Sequence, residues 1–405
     1  MKKLLVCLLL AALCLSCAMA EDRYEQLGYY GENGFLPVQQ SGLWGVIAPD
    51  GMLVVPCEWE EIGEVVYGGI AVKRDGLWGC LDMQGRVVVE PAWDFLSIWP
   101  DGTLSVWQDG WEGLLAADGT VIVPCGQYTY VGWNIDGYLF VRDEQGRCGK
   151  LNPDGSVAIP LEWQDIGYFH DGLAYAKRMN DGWRYINTAG KTVIAGAISR
   201  PGDFRDGLAL VETTYGKYRF IDVNGAPLTP SDWDDAKEFS CGLALVKRDG
   251  LYGYIDRAGE VVIPLQFTSA SSFYDGVALV RRGEERIAID TQGGTLYTCT
   301  WEKASGQFSR GFIWVMQDGR YGLMNTAGEL VVPCEWEQPV AIFLHGDMTH
   351  LERDGQLGFV NRQGELVTGR LWDKETVSWQ IQDEYLFLLE DGVLSIWNAD
   401  GTRLY

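Results

Sequence analysis

The sequence predicts an all-β protein, a tandem array of about eleven three-stranded antiparallel meanders of roughly 35 residues each. Three observations carry this. A mid-strand glycine, or its replacement, recurs at Gly45, Gly79, Gly113, Gly149, Arg184, Arg219, Gly253, Ile287, Gly322, Gly358 and Ser395, at intervals of 34 to 37 residues. Six residues after every mark stands a glycine: Gly51, Gly85, Gly119, Gly155, Gly190, Gly225, Gly259, Gly293, Gly328, Gly364 and Gly401. Asp-Gly pairs such as Asp75-Gly76, Asp249-Gly250 and Asp318-Gly319 separate extended apolar runs, the strongest short-range signal for a two-residue hairpin.

The stretch Val246–Pro264 shows the module most clearly. Leu243–Lys247 is the first strand, Asp249-Gly250 the hairpin, and Leu251–Asp256 the second strand. Arg257-Ala258-Gly259 turns the chain, with Gly259 at the left-handed position. Glu260–Ile263 is the third strand, which Pro264 is expected to end, because proline gives a ladder no N–H. Gly253 in mid-strand marks a close approach of backbone, and the aromatic before it, Tyr252 here and Trp44 or Trp78 elsewhere, is expected to pack. Leu243–Val246 are apolar on both faces, so one meander cannot cover itself and copies should stack sheet on sheet.

Residues 1–20 read as a signal peptide. Lys2-Lys3 precede the apolar run Leu4–Leu15, which is too short to span a membrane, and Ala18-Met19-Ala20 offers cleavage before Glu21. The alternative is a lipid anchor at Cys17. Residues 21–34 form a polar lead-in or cap, and residues 35–405 the array. No later stretch reads as a membrane helix, so the expected location is extracytoplasmic, secreted or periplasmic. The net charge of −24 becomes −26 once Lys2 and Lys3 are removed, which argues against nucleic acid as a partner. With 47% hydrophobic residues the chain can fill a core. Cys57, Cys125, Cys299 and Cys334 recur in a slot that elsewhere holds Ala92, Leu161 or Leu265, the pattern of a small apolar site rather than a disulfide framework.

A second aromatic column follows the third strand, with Trp beside an acid at Trp59, Trp93, Trp233, Trp301, Trp336 and Trp372. These rings either seal the contact between modules or present a ladder of platforms to a ligand. About ten irregular residues then lead to the next module, whose first strand often opens on an aromatic-x-x-Gly pattern, as at Phe204, Phe239 and Phe273. His345, Asp347 and His350 lie close together but in a degenerate copy, and His170 reads as packing. A catalytic pair should break the repeat, and the carboxylates fall instead at turns or beside the recurring Trp. No metal, cofactor or catalytic residue is therefore assigned. Asp-Gly turns such as Asp118-Gly119 and Asp154-Gly155 read as turn chemistry rather than calcium ligands.

Gly42-Leu43-Trp44-Gly45 and Gly76-Leu77-Trp78-Gly79, with Tyr252-Gly253 and Tyr321-Gly322 as variants, resemble the WG-repeat family over residues 35–405. The resemblance implies bacterial, often exported repeat proteins of mostly unassigned function and brings no catalytic residues. With three strands per module and whole modules at both ends, an open or superhelical stack is preferred to a propeller-like ring or pair of rings. The expected function is a non-catalytic exported scaffold that binds another protein over an extended surface. The alternative is a carbohydrate-binding module using the Trp ladder on a cell-surface glycan; an extracellular hydrolase comes third.

Overall fold

The structure is a computed structural model that describes residues 26–27, 35–48, 52–133, 135–178, 181–338, 347–382, 385–390 and 393–403. Residues 1–20, read as a signal peptide, and His345, Gly51 and the Asp391-Gly392 pair lie outside them. Among the described residues there is no helix, and strands form eleven antiparallel sheets, one for each glycine mark, none closed into a barrel. Contacts divide the chain into two compact units, residues 1–209 with 223–225, and residues 210–222 with 226–405.

In the first unit, the sheet Glu61–Val66, Gly69–Arg74, Leu77–Asp82 and Val87–Trp93 shows the pattern. The last three strands are the expected meander. The first, called here the lead strand, runs through residues read from sequence as irregular. It joins the meander by a two-residue hairpin at Tyr67-Gly68, both at positive φ, as a primed turn requires. The same hairpin at Asp206-Gly207, Cys241-Gly242 and Asp275-Gly276 accounts for the glycine of the aromatic-x-x-Gly pattern. Eight sheets have four strands and three have three. Gln26–Leu27, within the expected lead-in, pairs with Leu36–Gln40 as the first sheet's lead strand.

The Asp-Gly hairpins form as expected, except at Asp181-Gly182, where neither residue has positive φ. Asp75 and Gly76, Asp249 and Gly250, and Asp318 and Gly319 all have positive φ. So does every described glycine of the constant column, at φ between +74° and +85°. That column has a second cause. A Cβ on Gly85 would stand 2.7 Å from the Val54 carbonyl oxygen, and one on Gly155 2.3 Å from that of Ile122. Most of the described turns of this column are thus pressed onto the preceding module. In several of these turns the residue three before the glycine fastens the loop: Asp82 accepts from the N–H groups of Gln84 and Arg86, Asp256 from those of Ala258 and Glu260.

Mid-strand glycines answer to a bulge in the fourth strand. Trp78 pairs with Trp93 and Cys80 with Val89, so two extra residues on the partner fold over Gly79. A Cβ there would meet the Val89 oxygen at 2.6 Å and the Pro91 nitrogen at 2.8 Å. Tyr252 with Phe267 and Tyr254 with Ile263 repeat the geometry over Gly253. At Arg184 and Ile287, where a side chain replaces the glycine, the bulge is gone: Arg184 and Tyr185 pair consecutively with Ala195 and Ile194, and Ile287 and Ala288 with Thr298 and Tyr297; at Arg219 the partner still loops out, between Trp233 opposite Tyr218 and Pro227 opposite Ile221. Pro264 therefore does not end its strand, which runs Val261–Phe267. It sits in the bulge of an edge strand, where no ladder N–H is needed.

Cores lie between successive sheets. Val46, Val55 and Trp59 of one module pack with Val65, Ile70, Val72 and Leu81 of the next; Leu323, Val332 and Trp336 pack with Leu351 and Val360. Modules are stabilised by lying against their neighbours, as the two-sided apolar strands require.

Candidate functional site

Of the two readings of the Trp column beside the acids, sealing is the one seen at four positions, while the WG aromatic is less buried than expected. In the column beside the acids, Trp59, Trp233, Trp336 and Trp372 are at most 6% exposed, while Trp93 and Trp301 are half-buried. The Trp44, Trp78, Tyr252 and Tyr321 rings of the WG position are the half-exposed ones. Each buried ring is covered by an arginine: at Trp59, Trp233 and Trp336 it is the one that closes the next module's first strand, Arg74 at 3.9 Å from the ring centre, Arg248 at 3.9 Å and Arg353 at 5.2 Å, whereas Trp372 is covered at 3.8 Å by Arg370, two residues before it. Cation–π contact and burial of the guanidinium stem both favour this cover. Nor are the acids free for a ligand. Glu60 accepts from the N–H groups of Asp75 and Gly76 at 3.1 and 3.0 Å, Asp234 from that of Asp249 at 2.8 Å, and Glu337 from that of Asp354 at 2.9 Å. A Trp-acid pair is thus a clamp: the ring takes the arginine and the carboxylate takes the hairpin that follows it. These four rings form no surface ladder. Half-exposure also lowers the value of the WG aromatic, and Trp78→Ala should cost roughly 1–3 kcal/mol in a denaturant titration.

Carboxylates in the glycine turns are likewise spent on structure. Asp118 accepts from the Thr120 N–H and hydroxyl, and Asp154 from the Ser156 hydroxyl and N–H, which holds both below the ordinary carboxylate range. For a depressed carboxylate, the stabilisation is present above the unfolded-state pKa and is lost as pH falls through the folded one. Thermal stability should therefore hold at neutral pH and decline below the usual carboxylate range, a trend that scanning calorimetry over acid pH will read.

Three of the four recurrent cysteines, Cys57, Cys125 and Cys334, sit over bulged glycines. Cys57 Sγ would lie 2.9 Å from a Cβ on Gly45, and Cys334 Sγ 3.0 Å from one on Gly322. Cys299 and Cys334 are both free thiols. Burial pushes the Cys80 thiol up to about 11, away from reactivity. Among the described residues, no group of three metal-ligating side chains is gathered. Asp347 pairs with Arg362 at 2.6 Å, and His350 stacks on Trp379 at 4.4 Å between ring centres. His170 is not packed away: its side chain is 42% exposed, with Nε2 4.0 Å from Asp203.

Two features stand out from this structural frame. One repeats. The first residue of the fourth strand is an exposed aliphatic at Leu53, Val87, Val121 and Val157 in the first unit, between 47 and 56% exposed, and again at Val261 and Leu330 in the second. The other breaks the repeat. Lys150 occupies a column that elsewhere holds Val46, Cys80, Leu114, Tyr254 and Leu323, all buried, and it is buried too, at 1%. It contacts Asp136, whose side chain is 3% exposed. The Lys150 Nζ lies 5.1, 5.4 and 6.0 Å from the ring centres of Phe169, Tyr168 and Tyr138. Asp136 also accepts from the N–H groups of Phe169 at 2.6 Å and Tyr138 at 3.3 Å. Burial pulls the Lys150 ammonium below its ordinary pKa. In the sequence, a lysine in an otherwise apolar column was the signal for this pair.

Stacked meanders of three or four strands with one invariant turn glycine per copy define a tandem β-repeat protein. The chain belongs to the WG containing repeat family, whose pattern matches residues 44–78, 78–110, 149–183, 183–218, 218–252, 252–284, 288–321 and 321–338. No curated protein sequence matches it. Among solved structures it is similar to BamB from Moraxella catarrhalis, at 16% identity, covering 66% of this chain and 93% of that one with a TM-score of 0.34. It is also similar to a eukaryotic initiation factor, at 9% identity, covering 68% and 87% with a TM-score of 0.33. A third likeness is to the extracellular domain of a hybrid two-component system from B. thetaiotaomicron, at 11% identity, covering 91% and 68% with a TM-score of 0.22. None of these three likenesses carries a functional argument.

Proposed function

We propose that this repeat scaffold is exported, non-catalytic, and binds another protein along an extended surface. The observation that supports it most is the exposed aliphatic row. A solvent-facing Leu or Val at one repeat position needs no explanation singly, whereas a run of them from module to module offers a partner a periodic apolar track. The row lies on the fourth strand, an edge of each sheet, where an extended polypeptide can also reach main-chain groups beside the bulge. The reading of residues 1–20 as a signal peptide supports the extracytoplasmic setting. The acidic balance of the chain favours a partner with basic groups flanking its apolar contacts.

The test is capture from the native envelope or medium by the immobilised mature chain. Wild type should retain a specific protein, and a Val121→Glu, Val157→Glu double variant should lose it while keeping its thermal midpoint, since both side chains are more than half exposed. Equal capture by the two would reject the row as the binding surface. Turnover in a screen of hydrolase substrates, abolished by changing one non-repeating residue, would replace the scaffold reading with an enzyme.

A further inference from the structure

We propose that Lys150 and Asp136 are joined by an intramolecular amide bond, an isopeptide crosslink that the folded chain forms by itself. The two groups are in direct contact, 1% and 3% exposed, between the rings of Tyr138, Tyr168 and Phe169. Such a site is costly for two charges, because the desolvation of a buried pair rivals or exceeds its attraction. Condensation needs the neutral amine and carboxylic acid, reached by moving one proton from Nζ to the carboxylate, and burial already disfavours the charged form of Lys150.

The Lys150 Nζ lone pair attacks Asp136 Cγ, and a C–N bond forms as the carboxyl C–OH bond breaks. The departing hydroxyl takes one amine hydrogen and leaves as water, while the other amine hydrogen remains as the amide N–H. No oxidant, reductant or cofactor enters the balance. Charge that develops on oxygen in the tetrahedral intermediate is met by the Tyr138 N–H at Oδ1 and the Phe169 N–H at Oδ2, fixed donors in a site from which bulk water is excluded. Proximity is supplied by the fold: Asp136 lies in the stretch between the strands Tyr130–Gly132 and Leu139–Arg142, and Lys150 on Cys148–Leu151 of the same sheet. The position is unique, since the other modules carry an apolar side chain where Lys150 stands.

Trypsin digestion of the denatured full-length chain, followed by mass spectrometry, decides the matter. A crosslinked chain is not cut after Lys150. It yields residues 87–142 and 148–177 as one branched species, lighter than the two separate peptides by one water. The Asp136→Asn variant should release ammonia instead and give a branched species of the same mass as wild type. Lys150→Met should give none. Purely linear peptides from the wild-type chain, with cleavage after Lys150, would overturn the proposal whatever the variants do, and would leave the pair as a buried salt bridge.

Discussion

Replacing Trp163 by alanine should cost about 3–5 kcal/mol in equilibrium denaturation, the range for deleting a large aromatic from a packed interior. Its ring is fully buried. It packs with Cys148 and Ile159 of its own sheet and with Ile166, Ala174, Ala176 and Ile186 of the next, so its loss opens a void on a contact between modules. Arg178, 4.8 Å from the ring centre, would lose its platform as well. Trp163→Phe should be far milder. The Trp163 Nε1 is a buried donor with no protein partner, and Phe267 already fills the equivalent place at 0% exposure. If alanine and phenylalanine cost the same, the ring does not carry the contact. Damage should fall on adjacent modules before distant ones, because each unit leans on its neighbours; hydrogen exchange resolved along the chain will show this.

The turn glycine offers the second large effect. Gly155→Ala places a Cβ 2.3 Å from the Ile122 oxygen at a residue with φ of +83°. The left-handed conformation alone costs an alanine about 1–2 kcal/mol, and overpacking adds roughly 1–3 kcal/mol, so about 2–5 kcal/mol should be lost. Gly172 tests the assignment. It also has positive φ, at +78°, but nothing lies within 4 Å of its Cβ position, so Gly172→Ala should show the conformational penalty alone. Equal losses at the two positions would mean that the turn does not press on its neighbour.

Much of this was legible in the residues. The Asp-Gly hairpins and the glycine column are local features, fixed by which residues tolerate positive φ, and they read directly. The lead strands were not legible. Several are two residues long, such as Asp165–Ile166 and Ser269–Ala270, too short to show alternation, and their hairpins use Tyr67, Asp206 or Cys241 as readily as any turn former. The WG aromatic was placed too deep, and the Trp-acid column left open, for a different reason. Trp44 and Trp59 are cross-strand partners, and composition gives no ground for choosing which is covered. Arg74 decides it, from fifteen residues further along the chain. Lys150 was passed over because a lysine in a strand reads as solvent-facing, and only its column of buried equivalents shows otherwise.

The strand that closes one sheet at Trp59 runs into the next at Glu61 with a single residue between them, and Trp93 and Phe95 repeat the arrangement. Such a junction leaves no slack for a graft of arbitrary length. Gene duplication within this chain can therefore lengthen or shorten it only by complete periods cut in phase; a breakpoint out of phase would put a bulge opposite a side chain and strand a clamp without its hairpin.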